Sequence, residues 1–184
     1  MPAPGAGHVS GGLRKLNEAA YVSEDPIVHA GRSEIDVLKE AAPSAPLGRS
    51  RILAHGDTSE VLHEMLIAHA PGSYVPPHKH PGKSESGHVV EGEIDLVFFD
   101  EQGEITHVLE LGEYSSGRDF YYRIDEPLYH TLILRTPGAV VHEVTNGPFV
   151  PEETLYAPWA PTEDDSSGRR AFQQRLVERV AALR

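Results

Sequence analysis

From residue 60 to about residue 148 the chain alternates short apolar runs with turns rich in glycine and proline. The runs are "VLHEMLIAHA", "HVVEGEIDLVFFD", "ITHVLEL", "DFYYRI", "HTLILR" and "AVVHEV". Between them stand "PG" after the first run, Gly92 inside the second, "DEQGE" at 100–104 and "GEYSSG" at 112–117. Gly103 is placed to take the positive φ that such a turn demands. Many short strands with turn signals at this spacing predict an antiparallel sandwich or barrel.

The ends differ in pattern. Residues 1–30 are rich in Gly, Ala and Pro without clear periodicity and predict a flexible or loosely docked arm. "SEIDVLKEAA" at 33–42 predicts a short helix capped by Ser33, with Ile35, Leu38 and Ala42 on one side. Pro43 and Pro46 end it. After the strands, "GPFVPEETLYAPWAPTEDDSSG" reads as an extended strap held down by Trp159, a side chain large enough to contribute much buried area. Residues 166–184 predict an amphipathic helix presenting Phe172, Leu176, Val177, Val180 and Leu183 on one face. The expected organisation is an arm (1–30), a β-domain with flanking straps (31–165) and a C-terminal helix (166–184).

Composition narrows the function. The 184 residues carry a net charge of -12, from 16 basic and 28 acidic residues, and show no basic stripe. Nucleic acid and anionic membrane surfaces are therefore not expected partners. There is no cysteine, which excludes disulfides, thiolate metal sites and cysteine nucleophiles. No apolar run approaches membrane-spanning length, and "MPAPGAGHVSGGLRKL" lacks the apolar core of a secretory signal. A cytoplasmic protein is expected.

The stretch "PHKHPGKSE" at 77–85 carries the candidate chemistry. If it is extended, His78 and His80 point to the same side. Two imidazoles so placed reach one ion, and a turn through Pro81 and Gly82 can return Glu85 to it. The best fourth ligand is His130 in "EPLYHTLIL", at the start of a later strand. Three imidazoles and one carboxylate suit a divalent first-row metal and leave open positions in a six-coordinate ion; iron, manganese, nickel and zinc all remain open. The competing reading is a polar surface loop that happens to hold histidines. His88 alternates to the face opposite Glu85, and His63, His69, His107 and His142 read as single solvent-facing or core-satisfied residues. Tyr74 shares parity with His78 and His80 and is a candidate for lining the same pocket, while Tyr129 should pack outward. Arg49, Arg51 and His55 are candidates to lid the cavity over an anionic or hydroxylated ligand, with a solvated strap as the bland alternative. Glu93 and Glu143 could face inward, their parity relative to the metal being open.

From Gly72 the chain reads "GSYVPPHKHPGKSESGHVVEG", which resembles the first motif of the cupin superfamily in its Gly, His-x-His, Glu and Gly spacing. The second motif departs from that pattern: in "DEPLYH", Asp125 stands for the usual proline and Pro127 for the usual glycine, and only His130 agrees. "PGSYVPPHKHP", "HTLIL", "VVHEVTNGPF" and "YAPWAPTED" look like the WbuC-type cupin-fold metalloproteins of bacterial surface-polysaccharide gene clusters. The resemblance implies an all-β fold, a single jelly-roll-type cupin β-barrel, to which the residue pattern adds a short helix before and a C-terminal helix after, the latter and the N-terminal arm being additions to the family. It implies one divalent transition metal on His78, His80, Glu85 and His130; the candidates to line a substrate pocket, read from parity and position, are Tyr74, Arg51, His55 and Glu143. It implies a small-molecule ligand and, together with the exposed edges of such a barrel, a homodimer. The activity expected first is metal-dependent isomerase, epimerase or lyase chemistry on a sugar or nucleotide-sugar intermediate. A non-haem Fe(II) dioxygenase and a non-catalytic ligand-binding cupin are the alternatives.

Overall fold

The computed structural model describes residues 12–184 and the backbone of His8 and Val9. Its strands are β1 (His8–Val9), β2 (Leu13–Asn17), β3 (Ala20–Ser23), β4 (Arg49–Leu53), β5 (Leu62–His69), β6 (His78–Lys79), β7 (Glu85–Glu91), β8 (Glu93–Phe99), β9 (Ile105–Gly112), β10 (Tyr121–Ile124), β11 (Tyr129–Leu134), β12 (Ala139–Asn146) and β13 (Leu155–Tyr156). Helix α1 spans Arg32–Ala41 and α2 spans Ser166–Ala181. The strands form an eight-stranded sheet in the order β1-β2-β3-β4-β5-β12-β7-β10 and a five-stranded sheet in the order β13-β6-β11-β8-β9. All pairings are antiparallel except β3 with β4. The fold is all-β at its centre with a helix towards each end, as expected. The strands make two facing sheets rather than one closed barrel.

Each sheet is covered over part of its outer face by a helix, and this explains why several strands look apolar throughout. In β8, Ile94, Leu96 and Phe98 face the other sheet and join Val89, Leu111, Ile124 and Val141 in the inner core. Val97 and Phe99 face outward, beneath Leu176 and Val180 of α2. A strand buried on both sides loses the polar half of its alternation. In the large sheet, Ser50, Ile52, Leu66 and Ala68 face outward beneath Leu38 of α1. The Ser50 hydroxyl donates to the Leu38 carbonyl at 2.6 Å and ties β4 to the helix. The alternate residues of β4 and β5, namely Arg49, Arg51, His63, Met65, Ile67 and His69, face inward.

Three expectations change. The arm expected over residues 1–30 holds a hairpin, β2–β3, whose Leu13 and Tyr21 are buried with α1; the first eleven residues lie outside the described side chains. Helix α1 is not capped by Ser33. Its N-cap is Gly31, whose N–H donates to Glu34 Oε2 at 2.8 Å, so the glutamate three positions on supplies the acceptor. On α2, Leu176 and Val180 are buried, but Val177 is 37% exposed, and Leu183 lies beyond the helix end at Ala181 and is 65% exposed. The apolar stripe is narrower than the sequence pattern: Phe172, Leu176 and Val180 carry the packing against the small sheet and the strap.

The strap behaves as its aromatic content predicts. Trp159 packs against Phe99, Tyr129 and Phe172 with ring centroids 5.0, 5.9 and 6.3 Å away. Gly103 permits this approach. Its φ is +86°, and a Cβ there would lie 2.9 Å from the indole ring.

Candidate functional site

The strand pairing brings the four ligand candidates together. His78 on β6 pairs directly with His130 on β11, and both face the large sheet. From His80 the chain turns through Gly82, φ +78°, and re-enters the opposite sheet at Glu85, the first residue of β7. Glu85 alternates inward with Gly87 and Val89, leaving His88 exposed on the other side. One donor atom from each of His78, His80, Glu85 and His130 lies within 4.8 Å of all the others.

Each ring is oriented from behind. His78 Nδ1 is 2.8 Å from the Pro76 carbonyl and His130 Nδ1 is 2.9 Å from the Leu128 carbonyl. An N–H on those nitrogens leaves both Nε2 lone pairs pointing into the cluster. His80 Nδ1 lies 3.4 Å from the Thr154 hydroxyl. His80 Nε2 and His130 Nε2 are each 3.6 Å from Glu85 Oε2, too far for hydrogen bonds and with room for a shared ion between them. His130 Nε2 is buried without a hydrogen-bond partner. A buried orphan of this kind is costly unless something else coordinates it. The donor set therefore fits a divalent transition metal.

The other Glu85 oxygen, Oε1, accepts from the Tyr122 hydroxyl at 3.0 Å. Tyr122 reaches it by lying across Gly87, its register partner on β7. A Cβ at residue 87 would sit 2.6 Å from the tyrosine oxygen.

The electrostatics follow from burial against mutual charge. Burial pushes the Glu85 carboxyl up, but His130 and then His78 and His80 outweigh it and hold the group at about 2. Burial and then His130 push His78 down to about 3. For His130, burial opposes protonation but Glu85 prevails, and its pKa is raised.

The cluster stands at one side of a cavity of about 600 Å³ between the sheets. Arg51, His55 and Glu143 line this cavity. Tyr74 does not. It is buried away from the cavity, its hydroxyl donates to the Pro161 carbonyl at 2.9 Å, and its ring meets Phe172 edge-on at 6.4 Å. Parity misplaced it because Pro76 and Pro77 interrupt the strand, so that Val75 and Pro76 line the cavity instead. Tyr129 packs outward against Trp159, opposite His130. Glu93 is taken up by Arg118 at 3.1 Å.

Other lining residues were not singled out from the sequence. Tyr122 sits in a strand of exposed–buried alternation that gives no sign of its hydroxyl's partner. His63, read as an isolated histidine, stacks flat on His55 with centroids 4.0 Å apart. His69 faces the cavity beside Arg49 and Arg51, and burial followed by those two charges lowers it to about 3. The signal available for His63 and His69 was the inward parity of β5, legible only once the sheet register is known.

Residues 31–111, short of half the chain, match the family model described as a domain of unknown function, DUF6016. No curated protein matches the chain. Among solved structures, the chain resembles the capsular polysaccharide assembling protein CapF from Staphylococcus aureus. The identity is 19% and the TM-score 0.46, covering 54% of this chain and 29% of that one. An oxalate oxidase in complex with the substrate analogue glycolate matches at 19% identity and TM-score 0.47, covering 62% and 58%. Oxalate decarboxylase from Bacillus subtilis matches at 22% and 0.43, covering 53% and 24%. These neighbours are cupin-fold proteins, and this chain spans less than two thirds of each.

Proposed function

We propose that the protein is a metal-dependent enzyme acting on a small, oxygen-rich molecule, with one divalent transition ion held by His78, His80, Glu85 and His130. The observation that carries this reading is the convergence of three imidazoles and a carboxylate within 4.8 Å, with the His130 Nε2 buried and unpartnered. A divalent ion there would supply Lewis acidity, drawing charge onto substrate oxygens. The chain's own residues supply the rest. Tyr122 fixes the Glu85 carboxylate, and the Pro76 and Leu128 carbonyls fix two ring tautomers. Glu143 faces the same cavity; burial, and then the charge of Glu85, raise its carboxyl to about 7. A carboxyl titrating near neutrality is suited to accept a proton from substrate and return it, which is the step an isomerase, epimerase or lyase needs.

A sugar or nucleotide-sugar intermediate is the substrate class this reading favours, and a homodimer built on exposed sheet edges is the assembly expected with it. The test is a screen of sugar and sugar-acid substrates on the metal-loaded protein, following proton exchange and product by NMR and oxygen uptake with an electrode. Turnover without oxygen uptake, abolished in both His80→Ala and Glu143→Gln, supports the reading. Oxygen-dependent turnover replaces it with the dioxygenase alternative. Tight binding with no turnover replaces it with the ligand-binding one.

A further inference from the structure

Arg14, Arg118, Arg135, Arg179 and Arg184 each pair with a carboxylate at 2.5 to 3.1 Å. Arg32, Arg123, Arg169, Arg170 and Arg175 pair with no carboxylate among the described residues and lie outside the cavity. Arg49 and Arg51, inside the cavity, pair with none among the described residues, and Arg49 Nε is buried without a hydrogen-bond partner. They are next-but-one neighbours on β4 and project from the same face. Pairing places Arg49 opposite His69 and Arg51 opposite Ile67. Glu163 and Glu143 line the same cavity and favour the charged form of Arg49, Glu163 more strongly, but neither comes within ion-pair distance of either arginine. His69 is 6% exposed and its Nδ1 is spent on the Ser73 hydroxyl at 3.2 Å. Burial, and then the charge of Arg51, push the Arg49 guanidinium down to about 10, so holding the two side by side in the cavity is costly even in a chain of net charge -12. Surface carboxylates were abundant enough to neutralise them, and the fold turns the pair inward instead.

We propose that Arg49 and Arg51 form an oxyanion-recognition subsite of the cavity. The ligand is then a small molecule with a carboxylate or phosphate at one end and oxygen donors at the other. The guanidinium fork matches both oxyanions with paired charge-assisted hydrogen bonds. The second half of the statement, oxygen donors directed at the histidine cluster, rests on the metal centre proposed above. The first half does not. Glu143 stands on β12, beyond β5 from the arginines and beside β7, which carries Glu85. A ligand anchored by its anion on β4 would pass its next carbons across Glu143.

The experiment is calorimetric titration with three probes, D-glucuronate, inorganic phosphate and neutral D-glucose, on the metal-loaded wild type, Arg49→Gln/Arg51→Gln, Arg51→Lys and His80→Ala. Glucuronate, phosphate or both should bind the wild type at least ten-fold more tightly than glucose. The comparison of the two anions identifies the carboxylate or the phosphate as the group recognised. The double variant should lose ten-fold or more of that affinity, and Arg51→Lys should fall between. The double variant should melt no lower than wild type, because the mutual repulsion is gone, so its loss of binding would not reflect unfolding. If neither anion binds the wild type, or both bind the double variant equally well, the subsite does not exist. Phosphate binding retained in metal-free His80→Ala would keep the arginine subsite even if the metal reading fails; phosphate binding lost there would assign the anion to the histidine cluster instead and overturn the proposal.

Discussion

Gly87→Ala tests the support behind the candidate centre without touching a ligand. The added Cβ would lie 2.6 Å from Tyr122 Oη and closer still to its ring, so the tyrosine must move. Tyr122 is 8% exposed and packed among Val89, Ile124 and Val141, which leaves it little space to yield. Forcing a methyl into such a core costs about 1–3 kcal/mol. The movement also breaks the 3.0 Å hydrogen bond to Glu85 Oε1, a charge-assisted bond whose loss adds about 1.5–3 kcal/mol. For a chain of this size each kcal/mol lowers the melting temperature by roughly 2–4 °C, so a fall of roughly 5 °C or more is expected. Metal affinity should fall by about 10- to 100-fold, as when an outer hydrogen bond to a ligand is lost. Tyr122→Phe separates the two effects: it keeps the ring and removes the hydroxyl, so it should reproduce most of the affinity loss with a smaller change in melting. The assays are thermal unfolding of the chelated protein and metal competition against a calibrated chelator. A Gly87→Ala protein with wild-type melting and affinity would show that Tyr122 does not lie across residue 87, and the account of how Glu85 is held would be wrong.

Further outcomes can be measured on the same material. Gly103→Ala should destabilise by about 1–3 kcal/mol in chemical unfolding without altering metal affinity, because it combines a left-handed φ of +86° with the Trp159 contact at 2.9 Å. Asp95, 0% exposed, bridges Arg135 at 2.6 Å and Arg184 at 2.8 Å, so Asp95→Ala should lose about 3 kcal/mol by the same assay, again with metal binding intact. The metal-induced rise in melting temperature should grow from pH 6 to pH 8. In the metal-free fold the raised pKa of His130 contributes stability that is complete below its unfolded value and is lost as pH rises through the folded one. The neutral imidazole so released is the form that binds an ion, so metal gains what the proton gives up. Glu85 works the other way. Held at about 2, it contributes stability above its unfolded value that is lost as pH falls towards 2, so it stays ionised and does not alter the trend between pH 6 and 8.

The centre of the fold was legible because its strands are separated by glycines that the backbone needs. Gly92 and Gly103 carry positive φ at the turns where the pattern placed them. The ligand candidates were legible for a local reason: His78, His80 and Glu85 are joined by one turn, so spacing alone brings them together. His130 arrives through a pairing 52 residues away in sequence, and its clues were its place at the start of an apolar strand and its agreement with the histidine of the second cupin motif. The misses share a cause. Tyr74, His63 and His69 depend on which face of a strand looks inward, and parity carries no origin until the register between strands is known. Where two prolines interrupt the strand, parity counted from His78 assigns Tyr74 to the wrong side. The hairpin β2–β3 was missed because its strands are short and its apolar residues, Leu13 and Tyr21, acquire meaning only against α1.

The most direct measurement is elemental mass spectrometry of protein purified without a histidine tag, on wild type and His80→Ala in parallel. About one equivalent of a single transition metal in the wild type, lost in the variant, is the expected result, and the identity of the metal then selects between Lewis-acid and oxygen chemistry. Wild-type protein that holds no metal after reconstitution with iron, manganese, nickel and zinc would contradict the account, and the three imidazoles around Glu85 would need another explanation.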